Sequence, residues 1–260
     1  MLGQIISYAT LLLGSQYRTH TFSVLIVKDH ARLIRWDCSS AIVMEPIKYN
    51  KDSSLFDFLV RYNNTDRAMC GHNPTIDSPT EDEERDAQML DDLAHAKFLL
   101  LITIQDPITL EQCRYIVSGP HPQPTIPAGH WTQTSIAYDV KACGRVLVKD
   151  SWQVLLPDIQ PEGVVYAMLQ RHLVPNIPSC LLVGDVGTED YHRSQTDMFT
   201  TRFWDHPHPE IVTPYRHYRL VLGTIGKKLH EFNSGLQLVK AIQASLKGKW
   251  TKYWQPRNIS

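Results

Sequence analysis

The chain has 260 residues, 43% of them hydrophobic, and 26 Lys+Arg against 27 Asp+Glu leave a net charge of −1. That apolar content supports a packed core of one large or two small domains and excludes wholesale disorder; the balanced charge excludes a strongly basic nucleic-acid binder. No run of about 18 apolar residues occurs, so no membrane span is expected. The 5 cysteines (Cys38, Cys70, Cys113, Cys143 and Cys180) form no CxxC pair. An odd, scattered set argues against a disulfide framework or a zinc ribbon and points to an intracellular setting.

The first apolar stretch has no Lys or Arg ahead of it, so it reads as a helix rather than a signal peptide. Ile5, Ile6, Ala9, Leu12 and Leu13 recur at helical spacing. Residues 22–27 and 31–36 flank the turn Lys28-Asp29-His30 and predict a hairpin. Residues 41–47 add a third strand that stops at Pro46. Asp52 and Ser53 can cap a helix carrying Leu55, Phe56, Phe58 and Leu59. Gly71-His72-Asn73-Pro74 marks a turn in a polar stretch. Thr80 and Glu83 fit a capping box for an acidic helix running towards Lys97.

A second α+β unit follows. Residues 114–117 predict a strand, and a Pro-rich loop leads to Gly129. Residues 135–140 and 145–148 predict strands around the turn Lys141-Ala142-Cys143-Gly144. Residues 161–172 predict a helix with Pro at its start. Residues 181–186 and 217–222 predict strands joined by a long loop, and Leu236, Val239, Ile242 and Leu246 mark one face of a last helix. The order is strand, strand, strand, helix, strand, strand, helix. A domain boundary is expected between residues 72 and 112, and the chain is divided into a β-rich piece at 1–76, an acidic helix and linker at 77–112, a second unit at 113–233, and a helix with a divergent tail at 234–260.

Within that order, Val146-Leu147-Val148-Lys149 has the V-A-I-K shape of a kinase third strand, and Glu162 stands early in the following helix. A strand-borne Lys aimed by a helix-borne Glu sets an ammonium against the α- and β-phosphates of a nucleotide. Unpaired, so long a side chain loses its orientation. Taken singly, each residue has an ordinary explanation: a strand Lys is solvated, and a helix N-terminus favours an acid. The joint pattern carries the signal.

Several motifs resemble the fungal-type protein kinases, a divergent eukaryotic protein-kinase group. Gly3-Gln4-Ile5-Ile6-Ser7-Tyr8-Ala9, Arg32-Leu33-Ile34-Arg35-Trp36-Asp37 and Gly71-His72-Asn73-Pro74-Thr75 are similar to its N-terminal extension. Ala137-Tyr138-Asp139, Lys149-Asp150-Ser151-Trp152, Glu162-Gly163, Val174-Pro175-Asn176-Ile177-Pro178 and Arg219-Leu220-Val221-Leu222 are similar to its small lobe. The resemblance implies an α+β fold in which a β-rich extension precedes a kinase-like small lobe with one αC-type helix, a hinge and one large-lobe helix. It implies ATP with Mg²⁺ and ancestral Ser/Thr phosphotransfer. Lys149 and Glu162 are its implied catalytic-lobe pair, and Gly129, Lys149, Leu222, Gly223 and Thr224 its implied nucleotide contacts. The lid Gly129-His130-Trp131-Thr132-Gln133-Thr134-Ser135 keeps one glycine where the family often has another at the position of Thr134. Neither H-R-D nor D-F-G occurs. The implied reading is a kinase chain truncated before its catalytic loop and inactive on its own. The alternative is a non-catalytic pseudokinase-like module that docks a protein partner.

Other constellations have plainer readings. His206-Pro207-His208-Pro209-Glu210 offers metal-ligand types, but its prolines prevent helical presentation, so a solvated loop is preferred for it and for His192, Asp197 and Asp205. Arg32, Arg35, Asp37 and Glu45 could form a degenerate nuclease-like site; strand-edge charges that deter aggregation explain them more simply. Nothing beside Cys143 would activate a thiolate. Lys247, Lys249 and Lys252 with Trp250, Tyr253 and Trp254 make a basic, aromatic tail, which a near-neutral chain does not turn into a nucleic-acid site.

Overall fold

A computed structural model describes residues 2–119, 131–186, 192–199, 212–226 and 231–253. The N-terminal part begins with α1 (Leu2–Ser15), whose Ala9 and Leu13 pack on Ile34 and Trp36. Those partners belong to an antiparallel sheet of β1 (His20–Val27), β2 (His30–Asp37) and β3 (Ala41–Val43). The β1–β2 turn holds Lys28 at φ +54, in the left-handed region that a tight reversal requires. Helix α2 (Ser54–Asn64) follows, with Ser54 N–H donating to Asp52 Oδ1 at 2.8 Å.

The larger sheet has seven strands in the order β4-β5-β6-β7-β8-β10-β9, each pair antiparallel. They are β4 (Ile76–Asp77), β5 (Leu99–Gln105), β6 (Gln112–Ser118), β7 (Thr132–Asp139), β8 (Gly144–Val154), β9 (Cys180–Asp185) and β10 (Tyr215–Leu222). Helix α3 (Glu81–Ala87) lies between β4 and β5, α4 (Glu162–Arg171) between β8 and β9, and α5 (Gly235–Tyr253) after β10. The fold class is α+β. One face of the sheet buries Val146, Val148, Leu182 and Val221 with Ile102, Ile104 and Tyr115, and Tyr17 closes this core from the N-terminal part. The tight β7–β8 turn is held by Asp139 Oδ1, which accepts from the backbone N–H of Lys141 and Ala142, both at 2.9 Å.

The third strand, expected over 41–47, ends at Val43, and two longer segments differ from expectation. The acidic helix does not reach Lys97; it ends at Ala87, and residues 99–105 form β5, paired with β6 from Leu99↔Ser118 to Gln105↔Gln112. The capping box at Thr80 and Glu83 is present, but a cap fixes only where a helix starts. The continuous apolar run Leu99-Leu100-Leu101-Ile102-Thr103-Ile104 buries both its faces as a central strand, which the helical spacing of an amphipathic segment cannot do. The sheet therefore draws on the segment read as helix and linker. Helix α3 is tied to it by the Glu83–Arg114 ion pair at 2.6 Å.

The second difference lies in the long segment before β10. Residues 192–199 pack against the small sheet instead of standing as a solvated loop. Asp37, 1% exposed, accepts at Oδ2 from the backbone N–H of Gln195 at 2.8 Å and Thr196 at 3.2 Å. Its Oδ1 accepts from Thr196 Oγ1 at 2.9 Å. Asp37 is thus a buried clamp, not an edge charge. Among the described residues no helix is long and apolar enough to cross a membrane.

Candidate functional site

Lys149 sits in β8 between Thr134 of β7 and Leu220 of β10. Pro161 is the cap of α4 and not its first helical residue, with φ −56 and an extended ψ of 143; the helix begins at Glu162, which therefore stands in its first turn. Lys149 Nζ donates to both carboxylate oxygens of Glu162, at 2.8 and 2.6 Å. The two side chains are 24% and 31% exposed, so the pair is held in place yet open to solvent on one side. An ammonium in this state has donor capacity left for an anionic ligand.

Among the other residues singled out in the sequence, Leu222 lies two positions beyond the partner of Lys149 on β10 and is buried. The chain then leaves the sheet, with Gly223 N–H donating to Ser179 O at 2.9 Å and Gly223 and Thr224 exposed. Gly129 lies outside the described residues, as do Asp205, His206, Pro207, His208 and Glu210. Arg32 and Glu45 are exposed and do not converge with the buried Asp37, whose ion-pair partner is Arg35 at 2.8 Å. Cys143 is exposed in the β7–β8 turn at φ +51. Among the described residues no group of three or more His, Cys, Asp or Glu is placed to hold a metal ion.

Alternation along β8 turns Asp150, the next residue, to the opposite face. There it is the centre of a buried polar cluster. Arg219 Nε donates to Asp150 Oδ2 at 2.7 Å, and His217 Nε2–H donates to Asp150 Oδ1. Arg219 Nη1 reaches Thr75 Oγ1 at 2.7 Å and Thr103 O at 3.2 Å, tying β10 to the β4–β5 side of the sheet. The ring of His217 stacks on Trp152 at 4.9 Å and meets His192 with the two Nδ1 atoms 3.3 Å apart. Burial opposes the ionisation of Asp150, but the charges and hydrogen bonds of His217 and Arg219 override it and hold the carboxyl well below its usual range. Burial, reinforced by His217 and Arg219, lowers the pKa of His192 to about 3. A small cavity of about 20 Å³, room for one water, lies between Trp131, Gln133, Asp150 and His217. It opens on this face and not beside Lys149.

The sequence singled out Lys149 and Glu162 but not the cluster behind them. His192 was assigned to solvent with its loop, yet it is 2% exposed, because Asp37 and His217 draw its segment onto the sheets. The available signal was the strand alternation Asp150/Trp152 and His217/Arg219, which places four polar or aromatic residues on the core side of two neighbouring strands.

Comparison of the chain with protein-family models, with curated proteins and with solved structures gives no match.

Proposed function

We propose that β6 to β10 with α4 act as a protein-kinase-like small lobe, in which Lys149, aimed by Glu162, meets the α- and β-phosphates of ATP. The observation that carries this reading is the double contact of Lys149 Nζ with the Glu162 carboxylate at 2.6 and 2.8 Å. It occurs on the third of three antiparallel strands and on the helix after it, the placement that phosphate orientation in kinases requires. The backbone from Leu222 to Thr224 leaves the sheet on the strand beside Lys149 and serves as the hinge. Gly129 belongs to the lid in this reading.

The sequence limits the chemistry. In kinases the catalytic base comes from H-R-D, and Mg²⁺ is held by D-F-G and a catalytic-loop Asn. The 260 residues contain neither motif. A positioned base contributes roughly 10²–10⁴-fold to such a reaction. These residues therefore hold nucleotide without transferring its phosphate, a phosphotransferase by descent. Calorimetry with ATP, with and without Mg²⁺, tests the reading alongside an ATP-consumption assay. Binding that is lost in Lys149→Met, with no turnover, supports it; an intact chain that binds no ATP overturns it.

One observation favours the second reading, a pseudokinase-like docking module. Leu236, Val239, Ile242 and Leu246 of α5 are between 48% and 65% exposed, an apolar stripe at helical spacing with polar residues around it. Under that reading the chain binds a protein partner and leaves ATP untouched.

A further inference from the structure

The first turn of α4 is held by an unusual contact. Its cap residue, Pro161, makes no side-chain hydrogen bond to the helix, and its carbonyl takes the N–H of Val164 at 3.0 Å, so the N–H of Gly163 must find an acceptor elsewhere. The backbone N–H of Gly163 donates to the hydroxyl of Tyr218, on β10, at 3.1 Å. Tyr218 is 5% exposed and Gly163 is buried. A side chain supplied by a strand of the sheet thus does the work that a Ser, Thr or Asp at the cap position does in other helices.

The fit at this contact leaves no slack. A Cβ built on Gly163 would stand 2.3 Å from Tyr218 Oη and 2.8 Å from Val183 Cγ2. The helix start is therefore pressed onto β9 and β10 at the one residue with no side chain. Glu162 is the residue immediately before, and its carboxylate is the one that meets Lys149.

We propose that Tyr218 and Gly163 are positioning residues: the Tyr218 hydroxyl and the bare Gly163 backbone fix the entry of α4, and through it the Glu162 carboxylate against Lys149. This rests on the nucleotide-binding reading only for its consequence, the affinity for ATP; the positioning itself is a property of the free protein. Glycine inside an exposed helix normally gains stability on conversion to alanine. Here the added methyl group has nowhere to go, so Gly163→Ala is expected to lift the turn.

The test uses the full chain with lysine labelled at its ε-carbon, so that the Lys149 signal, assigned by its absence in Lys149→Met, reports the ion pair directly. Tyr218→Phe removes one oxygen and keeps the ring. It is expected to move the Lys149 ε signal towards its position in Glu162→Gln and to weaken MgATP binding about fivefold or more, the scale of one hydrogen bond. Gly163→Ala is expected to do the same, while Val164→Ala, one residue on and half-exposed, leaves the signal in place. A Lys149 signal unchanged in a folded Tyr218→Phe and Gly163→Ala pair overturns the proposal. A signal that moves as described in a protein that binds no MgATP supports the positioning role and sinks the nucleotide reading alone.

Discussion

Lys149 and Asp150 are neighbours in the chain, and the structure predicts losses of very different size on removing them. Asp150 is the anionic partner of Arg219, whose side chain is 0% exposed, and of His217. Asp150→Ala leaves a guanidinium inside the protein with Nε deprived of its acceptor and Nη2 already without a partner among the described residues. Breaking a buried pair by removing one member costs about 3–5 kcal/mol. At about 2–4 °C of melting temperature per kcal/mol for a chain of this length, the midpoint falls by roughly 6–20 °C. Lys149→Met removes half of a pair that reaches solvent, worth about 1 kcal/mol or less, and keeps the aliphatic stem packed. Its midpoint therefore moves by about 4 °C at most. Thermal unfolding followed by circular dichroism compares the two directly. Equal losses, or a larger loss for Lys149→Met, would refute the assignment of Lys149 to a ligand-facing role and Asp150 to the core.

Further outcomes follow from the same physics. His20 and His192 are held neutral, burial being the main cause, at about 4 and about 3 against an ordinary 6.5. Their depressed values leave full stability above pH 6.5; below it the unfolded chain takes up protons that the folded chain refuses. The unfolding free energy from urea titrations should fall steadily from pH 6.5 to 4, by about 1.4 kcal/mol per pH unit for each histidine, and a flat profile would contradict their burial. Thr80→Ala removes the capping box of α3 and should cost about 1 kcal/mol in urea unfolding, with no change in ATP binding. Asp37→Ala deprives the N–H groups of Gln195 and Thr196 of their acceptor; amide exchange there should accelerate well ahead of exchange in β8, and unchanged protection would show that Asp37 is not the clamp.

How much of this was legible depends on whether the signal was local. The hairpin around Lys28-Asp29-His30, the capping box at Thr80 and the helix opening at Pro161 are each written in a few adjacent residues, and they fold as those residues dictate. The Lys149–Glu162 contact spans only 13 positions, and the strand-then-helix order alone brings its ends together. Strand β5 was hidden because an apolar run of six residues does not announce its period, and the acidic helix before it has no Gly or Pro to stop it. The buried cluster was hidden because its members come from distant parts of the chain. Thr75, Asp150, His192 and Arg219 meet only once β4, β8 and β10 are laid in one sheet. Tyr218 was invisible for the same reason: its hydroxyl bonds a residue 55 positions away.

The central claim is that a lysine on β8, aimed by a glutamate on α4, is there to receive nucleotide phosphates. Titration calorimetry of the intact chain with ATP, run beside Lys149→Met and Glu162→Gln, addresses it most directly. The account predicts saturable binding that is abolished in the first variant and weakened in the second, both remaining folded. Absent binding to the intact chain, or equal affinity in all three proteins, would contradict it.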